Sequence, residues 1–443
     1  MGRGRNTLIL FLALVALGAY IYFVERKREP ASEGVEAKAK VFSVEAGKIE
    51  ELQVQASGGD ATTLKKEGER WKIVAPVATE ADEGEVSGIT SNLASLEVQR
   101  VVEEQPRDLA PYGLDKARVH VGFRTGGDQA IKRVVFGAKT PTGGDMYARI
   151  EGEPRVFLVS GFLDSTFDRT TFDLRSKAVL KVERDKVDGI EVQSPAGALR
   201  FAKAQDAWRI VAPLDARADY GAVEGLLGRV ASGQMKSIVE AETGDLAKYG
   251  LATPQYTVGL TAGSARSTLL VGQASPDGQV YAKDGSRPMV FTVESTLLDE
   301  LKKGAGEFRF KDLFEFRTFS GSRFEVTRAG TTVVFEKEKG KDADAPGKWV
   351  QAQPRKDVDE GKVIDVLSRL SNLRAESFVD ALPAGTIEAA QVKARSSEGK
   401  KEDVVTFHKA GEDVYATRPG EPGAARVAPA DFNDAVKLLD ELK

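Results

Sequence analysis

The sequence predicts an α+β fold: three repeated, mainly antiparallel-sheet domains, each with one packed helix, behind an N-terminal transmembrane helix. Three observations carry that expectation. The chain's three tryptophans each open one phrase, "WKIVAPVATEAD" from Trp71, "WRIVAPLDARAD" from Trp208 and "WVQAQPRKDVDE" from Trp349. Hairpin-like runs of alternating apolar and polar residues flank a single helical stretch in each copy, which argues for sheet with an inserted helix rather than alternating βα units. An uncharged apolar run stands at the N-terminus.

That run, Thr7 to Val24, follows Arg3 and Arg5. As a helix it spans about 27 Å, enough for a bilayer core. Tyr20, Tyr22 and Phe23 sit where an interfacial aromatic belt lies. A cleaved leader is the competing reading, since "ALGA" supplies small residues, but apolar residues continue past it. Residues 1–24 are therefore read as an uncleaved anchor whose bilayer contact is residues 7–24. Residues 25–40, "ERKREPASEGVEAKAK", form a polar tether. A first segment followed by a large polar region exports that region. The expected location is the inner membrane, with one pass and the bulk of the chain periplasmic.

The repeat follows. Trp71 and Trp208 are 137 residues apart, and Trp208 and Trp349 are 141 apart. Pro76, Pro213 and Pro354 come five positions later, then Asp82, Asp219 and Asp359, then a glycine two residues on. This register sets domains at 41–178, 179–316 and a divergent 317–443. "LKKEGERWKIVAP" alternates like a strand with Trp71 and Ile73 on one face, and Pro76, lacking an N–H, ends it. Asp82 is placed as a helix N-cap, with Glu85 completing a capping box. Val86, Ile89, Leu93 and Leu96 then recur at helical spacing, matched by Val223, Leu226 and Val230 and by Val363, Val366, Leu370 and Leu373. Each tryptophan is expected beneath that helix as a core anchor, burying roughly 200 Å².

A second phrase, "DLAPYGL" at Asp108–Leu114, returns as "DLAKYGL" at Asp245–Leu251, while the third copy has lost its tyrosine. Its glycine suits a left-handed helix C-cap. Tyr112 and Tyr249 are expected to pack against the turn that precedes them. Tyr147, Tyr281 and Tyr415 recur 134 residues apart, each before an alanine. The closing "FNDAVKLLDELK" reads as a helix, and "KEKGKDADAPGK" before Trp349 as a lengthened hairpin loop.

These phrases carry a resemblance. The N-terminal anchor, the Trp-strand-Pro segment and the Tyr-Gly-Leu block (Tyr112–Leu114 and Tyr249–Leu251) resemble the bacterial domain-of-unknown-function family 4340 (DUF4340), well in the first two copies and weakly in the third. The family often has a proline after Tyr-Gly-Leu; the second copy has Pro254, whereas the first has Ala117. The resemblance implies a single-pass envelope protein with ABC-type transporter subunits of the gliding kind as partners. It implies no catalytic residues.

The chemistry legible in the residues is sparse. A 41% hydrophobic and 29% charged composition is that of a folded globular chain, and a net charge of −4 gives no basic footprint for nucleic acid. With no cysteine there are no disulfides, thiolate sites or thiol nucleophiles. His120 and His408 lie in unrelated strand phrases without metal-ligand spacing. "TPTGGD" lacks the lysine of a phosphate loop, and no Gly-x-Ser-x-Gly elbow occurs. Glu103, Glu240 and Asp380 recur in register at the helix exit and read as solvated loop acids. The expectation is no enzyme, no cofactor and no metal. The chain is expected to be a membrane-anchored scaffold or auxiliary subunit of a transport or envelope machine. The alternative is a periplasmic ligand-, glycan- or polymer-binding module with its pocket between repeats.

Overall fold

The architecture comes from a computed structural model, which describes residues 38–128, 130–242, 244–338, 347–396 and 402–442. The apolar run 7–24, most of the tether and most of the loop before Trp349 lie outside those residues. No helix among the described residues is long and apolar enough to cross a membrane. The chain divides into two compact units, Met1–Lys177 and Ala178–Lys443. The first holds one sheet and the second holds two.

The first sheet has nine strands: β1 (Ile49–Gln55), β2 (Ala61–Glu67), β3 (Arg70–Ala75), β4 (Thr79–Glu80), β5 (Arg100–Glu103), β6 (Val119–Thr125), β7 (Lys132–Lys139), β8 (Asp145–Ile150) and β9 (Val156–Ser160). Their spatial order is β4-β3-β2-β1-β6-β7-β8-β9-β5, and every pairing is antiparallel. Two meanders thus meet at β1 and β6. Helix α1 (Glu83–Ala94) lies between β4 and β5 in the chain, and those strands form opposite edges of the sheet. The connection must therefore cross a sheet face, which is why the helix is there to be packed.

Burial follows the crossing. Val86, Ile89 and Leu93 of α1 share one core with Trp71 and Ile73 on β3 and with Phe157 and Val159 on β9. The second sheet repeats the strand order, with helix α2 (Tyr220–Ala231) in the place of α1. The third has eight strands and helix α3 (Glu360–Ser371), and its core also takes in the closing helix α4 (Pro429–Glu441). Its missing strand is the counterpart of β4. The segment from Trp349 to Asp359 is one residue shorter than its counterparts, and only an isolated bridge, Gln351 to Lys356, forms there. The fold is thus sheet-dominated α+β, with one topology used three times among the described residues.

The helix starts depart from expectation in one detail. Asp82 caps α1 by accepting from the Gly84 and Glu85 N–H groups at 3.0 and 3.1 Å, but no capping box forms. The Asp82 N–H already donates to Leu174 O at 2.9 Å, so Glu85 has nothing to accept and pairs with Arg169 at 3.0 Å. The second copy is built alike, Asp219 N–H reaching Phe308 O at 2.7 Å. Each of these helix caps is therefore tied to the segment that closes its own repeat.

Candidate functional site

The repeated tryptophans face inward. Trp71, Trp208 and Trp349 are buried, each beside the helix of its own copy. The first acid of the helix turns back on the tryptophan strand: Glu83 accepts the Trp71 N–H at 2.8 Å, and Glu360 the Trp349 N–H at 3.0 Å. In the second copy Glu224 accepts the Trp208 indole N–H at 2.9 Å. Burial alone would raise Glu224; that indole N–H, Arg184 and Lys203 outweigh it and hold the carboxyl below its ordinary range. Pro76, Pro213 and Pro354 each follow the last residue of their strand, through a cis peptide bond. Asp219 and Asp359 cap α2 and α3 by accepting from the Ala222 and Lys362 N–H groups.

Tyr112 and Tyr249 lie apart from these, in a second, smaller apolar cluster that covers β7 and β9 and their counterparts. Each ends a short helical turn, followed by a left-handed glycine, Gly113 (φ 63°) or Gly250 (φ 67°). The tyrosine carbonyl rests on a strand glycine. A Cβ on Gly137 would stand 2.2 Å from Tyr112 O, and one on Gly272 the same distance from Tyr249 O. The rings meet Tyr147 and Tyr281, with centroids 5.1 and 4.9 Å apart.

Their hydroxyls donate to the recurring acids, Tyr112 to Glu103 at 2.7 Å and Tyr249 to Glu240 at 2.5 Å. The two acids are therefore not loop residues: they end β5 and its counterpart Ser237–Glu240, and the phenols reach them across the sheet edge. Asp380, whose copy has no such tyrosine, lies in a bend past its strand; it is exposed, as is Glu103, whereas Glu240 is half-buried. Hydrogen bonding to Glu103 first, then burial, raises the Tyr112 phenol above its ordinary value; Glu240 does the same to Tyr249, against a downward pull from Lys248. A phenol held protonated this way is no acid or base near neutrality. Each pair is a closed donor–acceptor latch.

The two histidines lie on strands of different repeats. His120 lies 3.2 Å from Ala117 O, and His408 3.0 Å from the Thr417 hydroxyl, with burial lowering the His408 pKa. Among the described residues no group of three or more metal-ligating side chains converges.

Within the second unit, charge gathers where the second and third repeats meet. Arg217 donates its backbone N–H and Nε to Glu421 Oε1 at 3.2 and 3.0 Å, and Nη2 to Asp312 O at 3.2 Å. Arg309 donates to Pro422 O at 3.0 Å, approaches Glu421 Oε2 at 3.6 Å, and lies 3.8 Å over the Phe378 ring. Burial pulls the Arg309 pKa down, with Glu421 opposing. The space left is about 20 Å³, room for roughly one water. A larger groove of about 470 Å³ runs along α2, opened by Gly225 and Gly228 and edged by Arg229, Lys236 and Glu294.

Comparison with known proteins places these features. No curated protein and no solved structure matches the chain. The family described as Domain of unknown function (DUF4340) matches residues 71–207 and 208–395, each match opening on a repeated tryptophan. The matches meet between Ala207 and Trp208, inside the strand Ala207–Ala212, so the family's frame is offset from the folded repeat. Together they span well over half of the sequence, and the chain belongs to the DUF4340 family.

Proposed function

We propose that the chain is a single-pass, membrane-tethered scaffold or auxiliary subunit. Its three sheet repeats stand outside the cytoplasm and serve an ABC-type transport or envelope machine through protein contacts. The observation that carries this reading is how the recurring side chains are used. The tryptophans fill cores, the aspartates cap helices, and the tyrosines are latched to Glu103 and Glu240. These recurring side chains spend their polar groups on partners within their own repeats. What repetition leaves to present is outer surface, the usual currency of array proteins. In this reading the apolar run 7–24 is the anchor and residues 25–40 are the tether.

The full chain, solubilised in mild detergent from its own membranes, is expected to bring transporter subunits with it in stoichiometric amount. Recovery alone, with a glycan or lipid bound one to one, would instead support the ligand-binding reading. That second reading has one feature in its favour, the open groove along α2. Against it stands the junction between the second and third repeats, which Arg217, Arg309 and Glu421 close to the size of a water.

A further inference from the structure

We infer that the Gly152–Pro154 turn of the first repeat is a protein-docking plug for a partner that presents two neighbouring arginines. The inference rests on the scaffold reading and deepens it by naming a face and the chemistry that fits it.

The third repeat shows how such a turn is used. Ala416 pairs with Ala425, and Ala148 pairs with Phe157, so the hairpin turns between them have the same length. Both carry Gly-Glu-Pro at the same place, Gly152-Glu153-Pro154 and Gly420-Glu421-Pro422. Both glycines are left-handed, at φ 87° and 77°. Both glutamate N–H groups close the turn on the residue three before, Glu153 on Ile150 O at 3.1 Å and Glu421 on Arg418 O at 3.2 Å. The two turns thus present a carboxylate and a proline carbonyl from the same backbone.

In the third repeat those groups are taken. Glu421 receives Arg217, and Arg309 spans from Glu421 to the Pro422 carbonyl. In the first repeat Glu153 and Pro154 are exposed, and the Glu153 carboxylate makes no hydrogen bond or ion pair with the described residues. The strand beside the turn corresponds as well. Phe378, the floor under Arg309, pairs with Ala425, and Val101 pairs with Phe157. Val101 is 38% exposed, an open apolar floor where the third repeat has a covered one.

The carboxylate is not a requirement of the turn. At the same register the second repeat has Arg287, whose N–H makes the same closing bond to Asp284 O at 3.2 Å and whose proline, Pro288, is kept. Glutamate is therefore a choice made in the first and third copies, and in the third it faces two guanidiniums. Charge complementarity then names the occupant for the first: a protein surface with a pair of arginines. In a second copy of this chain the matching pair, Arg217 and Arg309, is already filled by its own Glu421.

The test uses the full chain in its own membranes, with a photo-cross-linking phenylalanine analogue at Glu151, which leaves Glu153 intact. The cross-link is expected on a protein segment that places two arginines beside the turn. It should fall at least about tenfold in Glu153→Arg, since like charges across a contact cost several kcal/mol. It should fall less in Glu153→Gln, and return to Glu153→Arg when the partner's arginines are changed to glutamate. Unchanged circular dichroism is expected of both variants, because the side chain is exposed. A cross-link to lipid, to a second copy of the chain, or one indifferent to Glu153→Arg would overturn the inference. Partners that co-purify without cross-linking at this turn would overturn it and leave the scaffold reading standing. Absence of any co-purifying protein would sink both.

Discussion

A tryptophan that is 2% exposed and also spends its indole N–H on a carboxylate holds its repeat together in two ways, and the two can be separated. Trp208→Ala removes both and leaves a cavity under α2. A loss of about 3–5 kcal/mol is expected from urea unfolding followed by circular dichroism. Trp208→Phe keeps most of the apolar volume and loses the bond to Glu224, so about 1–3 kcal/mol is expected. Equal losses in the two variants would mean that the hydrogen bond, not the packing, is the anchor.

The tyrosine latches make a prediction with a sign. Both phenols are held above their ordinary pKa, chiefly by hydrogen bonding to Glu103 and Glu240. The folded state thus favours the neutral phenol. The stability each latch contributes is complete below the ordinary phenol range and is lost as pH rises through it toward the raised folded value. In Glu240→Gln the negative neighbour is gone, and Tyr249 should ionise at lower pH than in the parent chain. Phenolate absorbance reads this directly. An unmoved titration would show that Glu240 does not hold the hydroxyl.

These latches also mark where sequence reasoning stops. The tryptophan, proline and aspartate positions were legible because each acts within a dozen residues, where spacing alone reveals strand, stop and cap. Pairing Tyr112 with Glu103 requires β5 to lie at the sheet edge beside β9, a tertiary fact with no local periodicity. One local signal of the latch does lie in the sequence. "VVFG" and "LLVG" both end on a glycine where a tyrosine carbonyl must approach within contact of the strand.

Among the elements, the helix that crosses each sheet is the one most dependent on its ends. Three aspartates cap three helices, and removing one oxygen acceptor costs about 1 kcal/mol. Asp82→Ala should lower the stability of the first repeat by that amount. Glu85→Ala should fall within about 0.5 kcal/mol of the parent, because Glu85 makes a partly exposed pair with Arg169 and not a capping box. A larger effect at Glu85 than at Asp82 in thermal or urea melts would restore the box. The departure has a physical origin. The spacing Asp-x-x-Glu fits a capping box, but the Asp82 N–H it needs is held by the Leu174 carbonyl, from the far end of the repeat.

At the scale of the molecule, threefold repetition was legible, and so was the antiparallel character that follows from hairpins around a single helix. The way the second and third copies join was not, since Arg217, Arg309 and Glu421 come from distant phrases with no shared spacing. Their arrangement predicts joint behaviour. Glu421→Ala leaves two largely buried guanidiniums short of a partner, a change that costs about 3–5 kcal/mol. Hydrogen exchange in rising urea should show peptides around Trp208 and Trp349 opening together in the parent chain and separately in the variant. Joint opening in both would make the charge cluster incidental to the joint.

Three modules fold around their own repeated residues, and we propose that a tether holds them outside the cytoplasm. Because the chain has no cysteine, a single one introduced at Asp277, in an exposed turn of the second repeat, is an unambiguous reporter. The decisive measurement is its labelling in intact cells by a small membrane-impermeant maleimide. The account predicts full modification before lysis, on protein that sediments with the inner membrane. Modification only after lysis, or labelled protein released free of membranes, would contradict it.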